Sequence, residues 1–526
     1  MPELFATPEW RYYGQYYVRL MSPAGMVPDL GDAHWTSNWN HFLVFFEAAA
    51  SALRDPGCKW AAETIAAKFV DLSKPTSAGL GAMLLDAYRW GTDEVAAAPP
   101  AAGSMEVMDD IVGKKIVLRD GWAPASSYLL LNYRDEGDGG LNFRDYLRDT
   151  IPVEEEKMTH GHADENSLAL LMSGGSVLLH DGGYRDFMPS GPYGAYRQDY
   201  FHNRLCVRPE KISWGQNEGE YRYSVREAVP GQGLLEFMRN AGSYRPVRTR
   251  KVDFLTFEDF DYARTRVIDD GWGFQADRVV VFVKDPGVLV VIDVFKALRE
   301  DYFTLGQFWH TRQVHARGEG WYDTGYDRIQ NAVLPQDRRL LLLFPDRRPR
   351  MEGVEPEKRH YQDEWLVHQS WAQHFELGET WALAAVLVPH PAGEPAADWT
   401  GLVTALPADP DRAATGVVIR SGDREIVVGI KNDLRRDMSR DHRRPRYTYE
   451  AGRVRLGDFE TDGDLVFGVR RGDRLDYTVV NLTKALHGGK ILVAAEEGQY
   501  GLGYDARPDR GGVGKMRYWR ETATLR

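Results

Sequence analysis

Cysteine is almost missing from this chain: Cys58 and Cys206 are the two thiols among 526 residues. Two thiols cannot build a disulfide framework, and they cannot supply a thiolate zinc cluster. Any metal site must therefore use histidine and carboxylate. Basic charge is also short: 65 Lys and Arg stand against 77 Asp and Glu, a net charge of −12. A nucleic-acid binder normally carries a basic surplus, so nucleic acid is not expected as a partner. No apolar run reaches the ~18 residues of a membrane helix, so no membrane partner is expected. Met1-Pro2-Glu3-Leu4 has no basic region and no apolar run after it, so no signal peptide is visible. No repeat with a period of about 20–50 residues is present.

What remains is the composition of a folded protein. Hydrophobic residues make up 43% and charged residues 27%, which excludes a disordered chain. The length suggests two or three domains. With 52 glycines and 12% aromatic residues, the balance leans towards β structure with many turns.

The hydrophobic period divides the chain. Phe42, Phe46, Ala49 and Leu53 recur at helical spacing, and Asp55-Pro56-Gly57 stops that run. Trp60–Phe69 and Leu80–Trp90 are further amphipathic stretches. Residues 1–97 are thus expected to be helix hairpins, ending at the small-residue linker Ala96–Gly103. Beyond it the period becomes two. Short β runs such as Ile116–Leu118, Tyr128–Asn132, Ser167–Met172, Val177–Leu179, Val279–Val283 and Val288–Val294 are separated by Gly, Asp and Pro clusters. That spacing predicts a large antiparallel β-sandwich over 104–390. After a second linker, His390–Asp398, a smaller C-terminal β domain is expected over 399–526. The expected fold class is α+β and multidomain.

Three polar clusters stand at strand ends. Thr159–Ser167 runs into Leu168–Met172, His180-Asp181-Gly182-Gly183-Tyr184 follows Val177–Leu179, and Asp199–Arg204 leads into Leu205-Cys206-Val207. His160 and His162 are two residues apart, so in an extended segment they share a face. Imidazoles from separate strands with one carboxylate make a zinc donor set. The competing reading is that these are turn residues capping strands.

These segments carry a resemblance. His160-Gly161-His162-Ala163-Asp164-Glu165-Asn166-Ser167, then Leu178–Tyr184, then His202-Asn203-Arg204-Leu205, resemble the β-domain signature of heparinase II/III-like polysaccharide lyases. Arg278–Lys284 with Leu289–Asp293 resembles the family's later hairpin, and Gly25–Asp32 a loop near the end of its helical toroid. The resemblance implies an incomplete (α/α) toroid followed by antiparallel sheets, with a substrate groove where they meet. It implies β-elimination on a uronate-containing acidic polysaccharide, of glycosaminoglycan or alginate type. It implies His160 as the base or proton-handling group, a catalytic tyrosine in the Tyr12–Tyr17 cluster (Tyr12, Tyr13 or Tyr16), and a structural zinc on His162, Asp181 and His202. It also implies a periplasmic or secreted location.

The chemistry suits these residue types. Elimination needs the uronate carboxylate neutralised, the C5 proton removed and O4 protonated; His and Tyr with shifted pKa values do the transfers. In the family, the neutralising Asn or His precedes the tyrosine. This chain begins about where that tyrosine falls, so an N-terminally shortened toroid is expected. Asn38, Asn40 and His41 do not match by order, which leaves Arg11, His34 or Arg204 as substitutes. Arg204, His34, Trp35 and His310 are the expected substrate contacts. The basic run Arg435–Arg446 either steers a polyanion or forms a solvated loop face interleaved with Asp433, Asp437 and Asp441. Two other functions stay open: a glycoside hydrolase using carboxylates among Glu154–Glu156, Asp164 and Glu165, and a non-catalytic acidic-carbohydrate-binding protein. The oligomeric state is also open, a homodimer included.

Overall fold

The structure is a computed structural model of the chain. It describes residues 7–28, 30–31, 33, 39–73, 77–101, 107–111, 113–134, 162–181, 198–212, 221–222, 233–240, 247–330, 332–346, 348, 350–359, 362–410, 412–434, 436–439, 446–449, 452–494 and 516–525. The architecture is the expected α+β one: helix hairpins first, then antiparallel sheets in succession.

Four helices open the chain: α1 (Pro8–Leu20), α2 (Trp39–Leu53), α3 (Pro56–Phe69) and α4 (Ala78–Trp90). Their starts follow local chemistry. Asp55 caps α3 by accepting from the Cys58 N–H at 3.0 Å, with Pro56 in the first turn. Ser77 caps α4 through the Leu80 N–H at 3.2 Å. The helical core is made by Phe46, Ala49, Ala50, Cys58, Ala61, Ala62 and Ile65, all nearly inaccessible. Gly14 lets α1 lie close on this pair: a Cβ there would stand 3.3 Å from Cys58 Sγ.

The end of α1 is fastened to the first sheet. That sheet contains β1 (Met108–Asp110), β2 (Lys115–Arg119), β3 (Tyr128–Asn132), β4 (Ser167–Ser173) and β5 (Ser176–His180), in chain order. The last carbonyls of a helix lack intrahelical partners. Here the Tyr128 hydroxyl donates to Leu20 O at 2.8 Å, and Arg119 donates to Arg19 O and Met21 O. A cation at a helix C-terminus also opposes the dipole favourably. The Arg119 guanidinium is held over the Trp122 ring at 4.0 Å. Leu20, Ala24 and Met26 then pack with Val117, Leu130 and Leu170 in one cluster.

Beyond lies an eight-stranded antiparallel sheet, with Val288–Ala297, Phe274–Val283 and Phe260–Asp269 adjacent inside it. A four-stranded sheet carries β6 (Leu205–Pro209) at one edge beside Asp301–Thr311. The C-terminal part holds a six-stranded and a five-stranded sheet. Among the described residues, the helices after residue 97 are short: Leu234–Asn240 and Ala397–Thr400. The chain leaves the strand Thr380–Pro391 at the expected linker, yet the two β parts share one core. Phe260 stacks on Phe467 at 4.0 Å between ring centroids, and Val281 and Val290 belong to the same cluster as Val417 and Ile426.

Phe260–Asp269 was not anticipated as a strand, and its charges explain why. Arg264 and Arg266 are buried and both bind Asp277 on the neighbouring strand, at 2.7 and 2.5 Å. Arg264 also donates to the carbonyls of Lys431 and Asn432 at 2.8 Å, tying the C-terminal part to the middle sheet. Burial would raise the Asp277 pKa, but Arg266 and Arg264 outweigh it and hold it below the usual carboxylate value. Its stabilisation is therefore present above the unfolded pKa of about 3.9 and lost as pH falls through the folded value. Asp277→Asn should cost about 3–5 kcal/mol at pH 7, since two guanidiniums lose their carboxylate. Urea unfolding at stepped pH should show that deficit shrinking below about pH 4; a deficit constant down to pH 2 would contradict the ion-pair account.

Candidate functional site

Three strand ends meet beside the first sheet. His162 precedes β4, Asp181 follows β5, and His202 follows the 3-10 turn Asp199–Phe201 ahead of β6. All three are buried, at 1%, 3% and 0% exposure. The His162 and His202 rings lie edge to face, 5.2 Å between centroids. Asp181 Oδ1 faces His202 Nδ1 at 3.1 Å and also accepts from the Asn203 N–H at 3.1 Å. Burial would raise the Asp181 pKa, but His202 and Arg359 hold it well below the usual carboxylate range. It stays ionised.

The segments around this group are held by side chains that satisfy their backbone. Asn203 Nδ2 donates to Leu168 O and His180 O at 3.3 and 3.2 Å, and its Oδ1 accepts from the His310 N–H at 2.7 Å. Arg278 donates to Asn166 O at 2.8 Å and Asn203 O at 2.5 Å, while Asp293 grips it with two bonds of 2.7 Å. Arg359 donates to Phe201 O at 2.9 Å and His180 O at 2.7 Å, backed by Glu364 at 2.8 Å. Its head also lies 3.6 Å from Asp181 Oδ1. Tyr326 completes the set, donating to His310 O at 3.0 Å.

Zinc needs nitrogen or oxygen donors that can point at one spot. His202 fits: Nδ1 is fixed by Asp181, and among the described residues the buried Nε2 has no hydrogen-bond partner. A carboxylate on the far ring nitrogen is the usual orienting partner of a ligating histidine. His162, His202 and Asp181 are thus brought together, with Asp181 in the orienting position on His202 Nδ1 rather than beside its Nε2. They are not gathered as tightly as the exposed group Glu300, His374 and Glu376, whose donor atoms all lie within 4.8 Å of one another.

The other expected site residues fall differently. His160, His34 and Trp35 lie outside the described residues, as do the side chains of the Arg435–Arg446 run. Tyr12 and Tyr13 are exposed on α1, at 54% and 48%. Tyr16 turns to the sheet and donates to Asp110 Oδ2 at 3.0 Å. Its burial and the Asp110 charge raise its pKa well above the phenol range, so it keeps its proton. Two expectations need correction. Arg204 does not reach out to substrate: it is buried and bonded to Glu165 at 2.5 Å and Ala163 O at 2.7 Å. His310 is also interior, 0% exposed, with Nε2 2.9 Å from Tyr200 O. Burial and the nearby Arg359 push its pKa well below the usual imidazole value. Arg359, Glu364 and Tyr326 were missed, because nothing in the sequence around Arg359 marks it as a partner of residues some 180 positions earlier.

No protein-family model and no curated protein sequence matches the chain. Solved structures do. The crystal structure of Heparinase III aligns with 80% of this chain and 54% of its own, at a TM-score of 0.50 and 12% identity. The Heparinase III-BT4657 gene product aligns at 0.49 and 12%, over 79% and 50% of the two chains. Heparan sulfate lyase HepC from Pedobacter heparinus aligns at 0.48 and 12%, over 77% and 50%. The chain spans about half the length of these structures. The likeness to Heparinase III establishes a polysaccharide-lyase-like fold. No described helix is long and apolar enough to cross a membrane.

The guanidinium of Arg359 carries a direct test. Arg359→Met leaves Glu364 as a buried charge, takes the side-chain donor from Phe201 O and removes one of the donors to His180 O, so thermal or urea unfolding should show a loss of about 3–5 kcal/mol. A loss under about 1 kcal/mol would mean that these strand ends are held by something else.

Proposed function

We propose that the chain is a polysaccharide lyase that cleaves a uronate-containing acidic glycan by β-elimination. The supporting observation is the pair of buried imidazoles, His162 and His202, meeting beside Asp181 within a fold shared with Heparinase III. In this reading His160 takes the C5 proton. The electron pair forms the C4–C5 double bond, the C4–O4 bond breaks, and a tyrosine of α1 gives its proton to O4. Tyr16 is the first candidate for the acid role, because its hydroxyl is turned to the first sheet and held by Asp110. Tyr12 and Tyr13 are the alternatives on the exposed face of the same helix.

His162 and His202, with Asp181, would hold a structural zinc. The chemistry supplied there is positional, a staple across three strand ends that also fixes the segment leading to His160. His160 stays outside that set, since a ligated imidazole cannot accept a proton. The glycan partner is a glycosaminoglycan or alginate type, and a location outside the cytoplasm follows from such a substrate.

The experiment is an absorbance screen against uronate polysaccharides, reading the unsaturated product in the near ultraviolet. His160→Ala should lower turnover by about 10²–10⁴-fold while leaving the melting temperature nearly unchanged. His162→Ala should lower both. Glycan cleavage without the absorbance would identify a hydrolase. Binding without cleavage would identify a carbohydrate-binding protein, and full activity in His160→Ala would remove the mechanism.

A further inference from the structure

Three groups converge on one oxygen of Asp181. His202 Nδ1 lies 3.1 Å from Oδ1, the Asn203 N–H donates to it at 3.1 Å, and the Arg359 head stands 3.6 Å away. Carboxylate and guanidinium are buried together, at 3% and 1% exposure. Arg359 is itself held in place: its Nε donates to Glu364 at 2.8 Å, and its other nitrogens donate to Phe201 O at 2.9 Å and His180 O at 2.7 Å. Arg359 and Glu364 lie on two adjacent strands of the four-stranded sheet, Met351–Arg359 and Gln362–Phe375. Glu364, Arg359, Asp181 and His202 thus form one chain of contacts that runs from that sheet to a single imidazole.

The other nitrogen of that imidazole, Nε2, is buried and has no hydrogen-bond partner among the described residues. The two ring nitrogens point to opposite sides of the ring, so an ion on Nε2 stands away from Asp181. A dication placed beside Asp181 Oδ1 would instead meet the Arg359 charge, and repulsion between charges grows as the local dielectric falls. The spacing of the donors points the same way. Taking one donor atom from each, His162, Asp181 and His202 do not all come within 4.8 Å of one another, as Glu300, His374 and Glu376 do. We propose that Asp181 is a positioning residue of the zinc centre and not one of its ligands. It keeps the proton on His202 Nδ1, so that Nε2 presents its lone pair to the metal. His202 Nε2 and a nitrogen of His162 are then protein donors, and the shell is completed without Asp181. The inference rests on the zinc reading and departs from the expected three-ligand set.

The test is made on the full chain, stripped of metal and titrated with zinc against a chromophoric chelator. Asp181→Asn keeps an oxygen that accepts from His202 Nδ1–H and loses the charge. It should still bind zinc with the wild-type stoichiometry, about 10–100-fold more weakly. Unchanged affinity overturns the inference, because Asp181 then positions nothing. Loss of stoichiometric binding also overturns it, because a ligand has then been removed. The melting temperature of the metal-free protein is read alongside: a merely structural Asp181 would move that temperature and leave zinc affinity where it was. Should Asp181→Asn not fold, a crystal structure of the zinc-loaded wild type decides. Both Asp181 oxygens should lie beyond the bonding distance of about 2.0–2.2 Å from the ion, and an oxygen within it overturns the inference. An Asp181–zinc bond removes this inference alone, whereas a wild type that binds no zinc removes the zinc reading with it. Turnover of uronate polysaccharides is read separately by absorbance and depends on neither result.

Discussion

The buried Arg278–Asp293 pair is the interaction on which the site depends. Arg278 lies in the middle of the eight-stranded sheet, yet its spare donors reach the carbonyls of Asn166 and Asn203. Those carbonyls belong to the segments that carry His162 and His202. Arg359 does the same from the four-stranded sheet for His180 and Phe201, and so fixes the approach to Asp181. Two sheets thereby fasten three strand ends through guanidiniums whose own charge is met by Asp293 and Glu364. Burying such pairs gains little net stability against a well-packed apolar alternative, because both ions lose their water. What it gains here is geometry. A planar guanidinium has several fixed donors and can hold a carboxylate and two carbonyls at once, which no aliphatic side chain can do.

The helical part is attached by a different device with the same logic. Arg119 and Tyr128 satisfy the last carbonyls of α1, and the Arg119 head lies over the Trp122 ring. This fixes where the helix ends, and hence which of its tyrosines faces the sheet. Tyr16 meets Asp110, while Tyr12 and Tyr13 stay in solvent. Aromatic residues at positions 12, 13, 16 and 17 look alike in sequence. Their division into one sheet-facing hydroxyl and two exposed rings comes from the docking angle, which Gly14 permits by its close approach to Cys58.

Elements driven by apolar periodicity were legible from sequence. The helices over 39–53 and 56–69 and the strands around Val279–Val283 and Val288–Val294 follow from spacing alone, since each buries one continuous face or both. The strands Phe260–Asp269 and Met351–Arg359 were not legible. Their arginines and carboxylates read as exposed, and only the partner strand reveals that they are matched. The same blindness misplaced Arg204 and His310, whose partners Glu165 and Tyr200 lie far away in sequence. The histidine group itself was legible, because an HxH pair and an HN pair at strand ends are sparse patterns in a chain with 14 histidines. What sequence could not supply was the manner of use: Asp181 lies against the far nitrogen of His202, leaving Nε2 to point elsewhere.

That arrangement gives the account its most direct measurement: anomalous diffraction at the zinc edge from crystals of the full chain grown with zinc. The account predicts a peak about 2.0–2.2 Å from His202 Nε2 and within the same range of a His162 nitrogen, with Asp181 still bonded to His202 Nδ1 or completing the set through its other oxygen. Zinc bound at Glu300, His374 and Glu376 with none between His162 and His202 would contradict it.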